Sequence, residues 1–322
     1  MGGNARIAAA AAAGVAAGAL VGTVAARAQR WYCLQILRTR SGIGRVHMVR
    51  SPEGEPVRVL QEDGVFQSAT YLGDRCFEPV FAYYRGFDAM FEAANGPGHP
   101  ARSVRRVLMI GGGGFAYPKH LLTKRDDIDM DVVEFDPAIV RAARRWFYLD
   151  ELEARLADPT TSRGNRLRVI EEDGRAYLER LAAEAARPRA AMPAANTGLA
   201  GARGAGAAPE SYDAIVNDAF TGREPAHGLS TVEAARAVHG CLAADGLYLE
   251  NVVSRDDGRD VSFLRDRVAT LLSVFAHVHV LQTSDAEFGG EDNYLVVATD
   301  GSARFAEAIA YDDDFPGAVV RD

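Results

Sequence analysis

The side chains most able to do chemistry in this sequence are glycines and acids that follow apolar, strand-like runs. The first apolar run, over 107–110, leads directly into Gly111, Gly112, Gly113 and Gly114. Glycine permits a sharp turn and a close approach to a ligand because it has no Cβ. With Ala116 the spacing matches G-x-G-x-x-A, a pattern that both nucleotide-binding and sulfonium-binding folds use. No Gly-Lys-Ser/Thr follows, so a P-loop is excluded.

Three acids stand where the next three strands are predicted to end. Glu134 lies 23 residues after Gly111, where a carboxylate can accept hydrogen bonds from ribose hydroxyls. Asp173, followed by Gly174, can accept a bond from an adenine amino group or can cap the next helix. Asp218 ends the fourth strand, at the edge where open α/β sheets do chemistry. It could bind an amine or accept its proton, or it could cap a loop.

The elements that must position these residues alternate between strand and helix from residue 104 onward. This alternation predicts a parallel sheet covered on both faces. No helix separates the last two strands, which predicts that they pair antiparallel. The expected fold is α/β, with a Rossmann-like sheet of the class I methyltransferase type and an antiparallel last strand, preceded by a small N-terminal β region. The predicted strands are 46–49, 57–60, 65–68, 105–111, 129–135, 166–171, 212–218, 246–253, 277–283 and 293–299. The predicted helices are 76–94, 118–124, 137–147, 173–186, 230–243 and 259–275.

The chain divides by composition into four parts and one insertion. Twenty uncharged residues, Ile7–Ala26, are long enough to cross a bilayer, and arginines follow them. They predict a membrane anchor with a cytoplasmic body, while a cleaved signal and a soluble extension stay open. The predicted parts are an Ala/Gly-rich segment 1–30, a β region plus helix 42–100, a nucleoside-binding domain 101–304 with a disordered insertion 187–209, and a tail 305–322.

The overall composition excludes several classes of protein. The 322 residues are 48% hydrophobic and 25% charged, as in folded globular proteins. The net charge of −8 disfavours nucleic acid as a partner. Three distant cysteines form neither a disulfide framework nor a zinc motif. His277 and His279 lack a third ligand nearby, so we expect no metal site.

These signals together resemble the spermidine synthase family of polyamine aminopropyltransferases over roughly 45–300. The family's D-G-x-x-Q is similar to the segment Asp63-Gly64-Val65-Phe66-Gln67. The resemblance implies decarboxylated S-adenosylmethionine as donor and an amine as acceptor, with a homodimer as the common assembly. It implies that Glu134 holds the ribose, that Asp173 holds the adenine, that Gln67 lines the donor pocket and that Asp218 is the catalytic acid.

The sequence also departs from the family's pattern. Gly114 replaces the aspartate of G-G-G-D-G-G, which holds the donor's terminal ammonium. Thr221 replaces an acid that helps to hold the diamine, and Cys76 stands where a tyrosine is expected. His227, in the loop after the fourth strand, could bind substrate or act as a base, or it could be an exposed loop residue. Acids that could substitute in the diamine site are Glu224, Asp285, Glu287, Glu291 and Asp292.

The expected function is therefore a spermidine synthase-like transferase. It would use S-adenosylmethionine or its decarboxylated form and a small-molecule amine. Three alternatives stay open. Gly114 favours a methyltransferase on the same scaffold, and the glycine pattern with Glu134 also suits an NAD-dependent dehydrogenase. Loss of the diamine carboxylates would suit a nucleoside-binding protein without catalysis.

Overall fold

The computed structural model describes residues 33–93, 103–186, 211–221, 224–253, 260–284 and 292–322. Within these ranges the chain begins with a four-stranded antiparallel sheet in the order β1-β2-β3-β4. Short 3-10 turns, Gly73–Arg75 and Ala82–Asp88, and a single helical turn follow the sheet. These elements are β1 (Cys33–Arg38), β2 (Ile43–Arg50), β3 (Pro56–Glu62), β4 (Val65–Tyr71) and α1 (Ala89–Glu92).

The second part of the chain forms a larger sheet with helices on both faces. Its strands are β5 (Arg106–Ile110), β6 (Asp129–Glu134), β7 (Arg166–Glu171), β8 (Tyr212–Asn217), β11 (Leu242–Val253), β12 (His277–Ser284) and β13 (Asp292–Thr299), and a small hairpin is formed by β9 (Phe220–Thr221) and β10 (Glu224–Pro225). Its helices are α2 (Ala116–Lys124), α3 (Pro137–Trp146), α4 (Leu149–Ala157), α5 (Gly174–Ala185), α6 (Val232–Cys241) and α7 (Ser262–Leu272).

The larger sheet has the strand order β12-β13-β11-β8-β5-β6-β7. Neighbouring strands from β11 to β7 run parallel, whereas β13 is antiparallel to both β11 and β12. The predicted fold class, including the antiparallel last strand, is confirmed. Central strand β5 is buried on both faces, which explains why its sequence is a continuous apolar run.

Two hydrophobic cores lie on opposite faces of this sheet. One contains apolar residues of α2, α3 and α4 together with the N-terminal sheet. The other contains apolar residues of α5, α6 and α7. The N-terminal sheet is therefore packed against the larger sheet, and residues from both can meet at a common cleft.

A buried lysine joins the N-terminal sheet to two helices that cover the larger sheet. Lys119 of α2 is 1% exposed, and its Nζ donates to Thr70 Oγ1 and to the carbonyl oxygen of Phe147, each at 2.9 Å. Burial lowers the pKa of Lys119 to about 7. Its two acceptors lie in β4 and at the end of α3, so this side chain fixes three elements together.

The predicted helix over 76–94 is wrong in its first third. Residues 76–81 form no helix, and helical structure begins at Ala82 as a 3-10 turn. Pro79 explains the difference, because proline disfavours helical geometry in the residue before it. Pro79 instead forms an isolated bridge with Thr70 of β4. The aromatic residues of this segment nevertheless pack inward, and Tyr84 and Phe87 are buried.

Helix α4, strand β1 and the small hairpin of β9 and β10 were not predicted from the sequence. Helix α4 begins after Tyr148, whose φ of +62° ends one helix and starts the next. Strand β1 precedes residue 42, where the β region was predicted to begin, and pairs with β2. The aliphatic side chains of Leu34, Ile36 and Ile43 are exposed on these two strands.

Several predicted features lie outside the described residues. These are segment 1–30, including Ile7–Ala26, and the insertion 187–209. Within the described ranges, no helix has the length and apolar character needed to cross a bilayer. The membrane anchor stays a prediction.

Candidate active site

A cleft of about 630 Å³ opens at the carboxyl edge of the larger sheet. Its floor is the glycine turn after β5 and the ends of β6 and β8. The N-terminal sheet contributes Gln67 and the hairpin residues Arg40 and Ser41, and the turn before α6 closes the far side. This is the edge at which the sequence placed its candidate residues.

The glycine turn is held by a close backbone approach. Gly111 has φ of +92°, and a Cβ there would lie 2.5 Å from the carbonyl oxygen of Asp218. Gly111 N donates to Val133 O, and Asp218 N donates to Ile110 O, both at 2.9 Å. Only glycine satisfies both the dihedral angle and the contact. The turn is thereby locked between the ends of β6 and β8.

Glu134 organises the rest of the turn. Its Oε2 accepts from Gly112 N at 2.9 Å and Gly113 N at 3.0 Å, and its Oε1 accepts from Asp136 N at 2.9 Å. Burial raises the pKa of Glu134, while these backbone donors oppose the rise. A carboxylate has about four acceptor positions, so about one stays available for a ligand. Glu134 lines the cleft, and its predicted ribose contact stays a prediction.

Asp173 and Gly174 form the third wall of the cleft. Asp173 caps α5, because its Oδ1 accepts from Ala176 N at 2.9 Å. The helix-capping alternative is thus present, and the adenine contact is untested. A Cβ on Gly174 would lie 2.4 Å from Ile110 Cγ2, so this glycine lets the start of α5 pack against β5.

Asp218 lies in the cleft between a phenol and an amide. Tyr83 OH donates to its Oδ2 at 3.1 Å, and Asn251 Nδ2 donates to its Oδ1 at 2.9 Å. Burial raises the pKa of Asp218 to about 7, although both hydrogen bonds favour the charged form. A carboxylate with this pKa can take up or release a proton near neutral pH.

Sequence reasoning missed Tyr83 and Asn251. Tyr83 lies in the 3-10 turn after β4, a segment interpreted only as apolar helix. Cys76 stands where the resemblance implied a tyrosine. Its carbonyl oxygen accepts a hydrogen bond from Thr70 Oγ1. Asn251 interrupts the apolar run of β11 next to buried Glu250, and this polar pair within a buried strand was the available signal.

Gly114 lies outside the cleft lining. A Cβ there would be 2.6 Å from Ser68 Oγ and 2.8 Å from Phe147 Cδ1. Neighbouring side chains therefore occupy the space beside this glycine that an aspartate side chain would need. Gln67, in contrast, lines the cleft as expected from its place in the sequence.

Of the two predicted substrate-binding residues, Thr221 and His227, the structure describes the side chain of His227 but not that of Thr221. Thr221 belongs to β9, where its backbone pairs with Glu224, and its side chain lies outside the description. His227 is exposed at the start of the turn His227–Leu229 and lines the cleft. The candidate acids Asp285, Glu287 and Glu291 also lie outside the described residues. Among the residues that are described, no three His, Cys, Asp or Glu side chains form a metal-binding group.

No model of a known protein family matches the sequence. The curated polyamine aminopropyltransferase of Vibrio vulnificus (strain CMCP6) is 28% identical over 149 residues, a match that spans 46% of this chain and 38% of that relative. A probable spermidine synthase from Corynebacterium glutamicum superposes with a TM-score of 0.55 at 21% identity, covering 83% of this chain and 80% of that one. The chain has the spermidine synthase fold.

Two further spermidine synthase structures are similar. The enzyme from Thermotoga maritima has a TM-score of 0.54 at 19% identity, covering 84% of this chain and 73% of that one. A spermidine synthase in complex with the transition state analogue AdoDATO has a TM-score of 0.54 at 18% identity, covering 84% and 74%. The fold that the resemblance implied is confirmed: the protein has a spermidine synthase-like fold.

We expect Gly114→Ala to destabilise the spermidine synthase-like fold. The added Cβ would overlap Ser68 Oγ, and overpacking of this kind costs about 1–3 kcal/mol. Thermal unfolding should show a lower Tm, and adding Ser68→Gly should restore part of the loss. Gly228→Ala is the matched stability control, because no atom lies within 4 Å of its Cβ position. An unchanged Tm for Gly114→Ala would contradict the conclusion that Ser68 and Phe147 fill the space beside Gly114.

Proposed function

We propose that the protein is a transferase that binds an adenosyl sulfonium donor in this cleft. It would transfer an aminopropyl or similar alkyl group to a small-molecule amine. The observation that supports this most is Asp218, which lies beside the glycine turn, is held by Tyr83 and Asn251, and has a pKa raised to about 7. The spermidine synthase fold and the similar aminopropyltransferase sequence agree with it.

The proposed reaction is an in-line displacement. The amine nitrogen attacks the carbon bonded to the sulfonium sulfur, so a C–N bond forms while the C–S bond breaks. The electron pair of the C–S bond stays on sulfur and leaves a neutral thioether. Asp218 accepts the proton that the nitrogen loses. Positioning supplies most of the rate, because the donor is already activated by its positive charge.

The buried environment suits Asp218 for this role. In water a carboxylate is a weak base, whereas burial brings the pKa of Asp218 close to neutrality. Tyr83 and Asn251 hold one oxygen each, which orients the carboxylate toward the cleft. Glu134 and the glycine turn would bind the nucleoside, with Asp173 at the adenine end.

The identity of the donor decides between the proposed function and a second candidate, methyl transfer. The AdoDATO complex of a related fold supports decarboxylated S-adenosylmethionine for this cleft. The closed space at Gly114 favours intact S-adenosylmethionine and methyl transfer as the second candidate, because no acid can stand there to repel the carboxylate that only this donor carries. The two donors differ in one carboxyl group, so binding can separate them.

We expect the decarboxylated donor and methylthioadenosine to raise the Tm of the full chain. A ligand at about 100 times its Kd adds about 2.7 kcal/mol to stability, which a thermal shift detects. S-adenosylmethionine and NAD serve as the two comparison ligands. A larger shift with S-adenosylmethionine would favour methyl transfer. A shift with NAD alone, or with none of the four, would contradict the proposed donor site.

We expect kcat/KM to rise with pH and to level off above about pH 7, because the base must be charged. Asp218→Asn should remove this limb and lower the rate by about 10²–10⁴. Tyr83→Phe should move the rising part of the pH profile to higher pH. The hydrogen bond that this variant removes stabilises the charged carboxylate, so its loss raises the pKa of Asp218. Tyr311→Phe is the control, since its phenol bonds Val278 O outside the cleft. A limb that stays in place in Tyr83→Phe would assign the titration to another group.

We also propose a homodimer that forms through the exposed edge of the N-terminal sheet. Ile36 is 65% exposed and Ile43 59% exposed on paired strands β1 and β2. Exposed aliphatic side chains on an edge strand favour association. Sedimentation should show a dimer for the full chain and a shift toward monomer for Ile36→Glu. Monomeric wild-type protein would refute this part of the proposal.

A further inference from the structure

We propose that Arg175 and Asp322 form a clasp that positions the turn His227–Leu229 against the start of α5. The clasp makes the C-terminal segment 315–322 part of the apparatus that shapes the nucleoside end of the cleft. This inference rests on the proposed function in one respect: it takes that end of the cleft as the place where the ligand's nucleoside binds.

Arg175 is the centre of the clasp. It is the second residue of α5, its side chain is 16% exposed, and it lines the cleft. Its Nη1 donates to Gly228 O at 2.7 Å and to Thr231 Oγ1 at 3.0 Å. Its Nη2 donates to Asp322 Oδ2 at 2.7 Å, and its Nε donates to Glu179 Oε1 at 2.6 Å. The planar guanidinium presents its donors in a fixed fork, so these partners set its orientation.

The C-terminal segment brings Asp322 to this point by a series of backbone contacts. Gly317 N donates to Arg265 O at 2.8 Å, and Val320 N donates to Thr270 Oγ1 at 3.0 Å. Val320 O accepts from Val232 N at 2.9 Å, at the start of α6. The segment therefore crosses the residues of α7 and reaches the first turn of α6 before it meets Arg175.

The clasp joins two walls of the cleft. One wall is Asp173-Gly174-Arg175 at the start of α5, and the other is the turn His227–Leu229. The turn is short, with Leu229 N bonded to Ala226 O and Ser230 N bonded to His227 O. Leu229 packs beside Gly174, but the carbonyl of Gly228 depends on the guanidinium for its polar contact with α5. Without the clasp this wall would have to be ordered on binding, which weakens affinity.

The charge on Asp322 is favourable at neutral pH. The hydrogen bond from Arg175 lowers the pKa of Asp322, so its carboxyl group is ionised at neutral pH. A charged partner on each side makes the contact stronger than a neutral hydrogen bond. Asp322 itself is 51% exposed, so its replacement is compatible with folding.

The test is the affinity of the full chain for methylthioadenosine, measured by calorimetry. We expect Arg175→Gln to raise Kd by about tenfold, the size expected for lost charge-assisted bonds. Asp322→Ala should raise Kd by about two- to fivefold, because its carboxylate is half-exposed and screened by solvent. The double variant should be no weaker than Arg175→Gln alone, since both changes break one clasp. Arg180→Gln is the matched control: it lies on the same helix and pairs with Glu172, outside the wall. Its Kd should stay at the wild-type value even if its Tm falls.

A second readout is independent of the ligand. Amide hydrogen exchange at Leu229 and Ser230 should be faster in Arg175→Gln and Asp322→Ala than in the wild type and in Arg180→Gln. Unchanged exchange in both clasp variants would overturn the proposal, as would an unchanged Kd beside a lowered Tm. If the wild type does not bind methylthioadenosine, the proposed function fails, and the exchange rates still decide whether the clasp orders the turn.

Discussion

The structure of the cleft depends on the contact between the Gly111 backbone and the carbonyl of Asp218. The approach leaves no room for a Cβ, and the hydrogen bonds to Val133 O and from Asp218 N lock it on both sides. Because the turn is locked, the N–H groups of Gly112 and Gly113 face Glu134. The same contact holds Asp218 at the mouth of β8. One backbone constraint thus sets both ends of the cleft: the end proposed to bind the nucleoside, called the nucleoside end, and the end proposed to react, called the reacting end.

The carboxyl groups of Glu134 and Asp218, one at each end, accept hydrogen bonds from different kinds of donor. Burial raises the pKa of both Glu134 and Asp218. Glu134 is compensated by three backbone donors, so its charge stabilises a turn that must exist before any ligand arrives. Asp218 has two side-chain donors and a pKa of about 7, so its charged form is disfavoured in the folded state. Its contribution to stability is therefore larger at low pH and is lost as the pH rises toward 7.

The fold could be predicted from the sequence because its main signals are local. A buried central strand reads as an apolar run, and strand ends show where Glu134, Asp173 and Asp218 meet the cleft. The partners of Asp218 could not be found this way, since Tyr83 lies 135 positions away in sequence and reaches the carboxyl only through the packing of the N-terminal sheet. The closure around Gly114 had the same origin, because Ser68 and Phe147 come from separate elements. The prediction of a helix over 76–94 was wrong in its first third for a local reason, because Pro79 disfavours helical geometry there.

The two ends of the cleft also differ in how they tolerate change in sequence. The nucleoside end is built largely from backbone groups: glycine N–H donors, the capped start of α5 and the carbonyl of Gly228. Such groups persist through most side-chain substitutions, provided that a few glycines and one carboxylate remain. The reacting end is built from side chains of three distant segments, Tyr83, Asp218 and Asn251. A substitution there changes the side-chain groups that face the cleft. This division explains why the glycine and acid motifs at the proposed nucleoside end are recognisable in the sequence, whereas the partners of Asp218 are not.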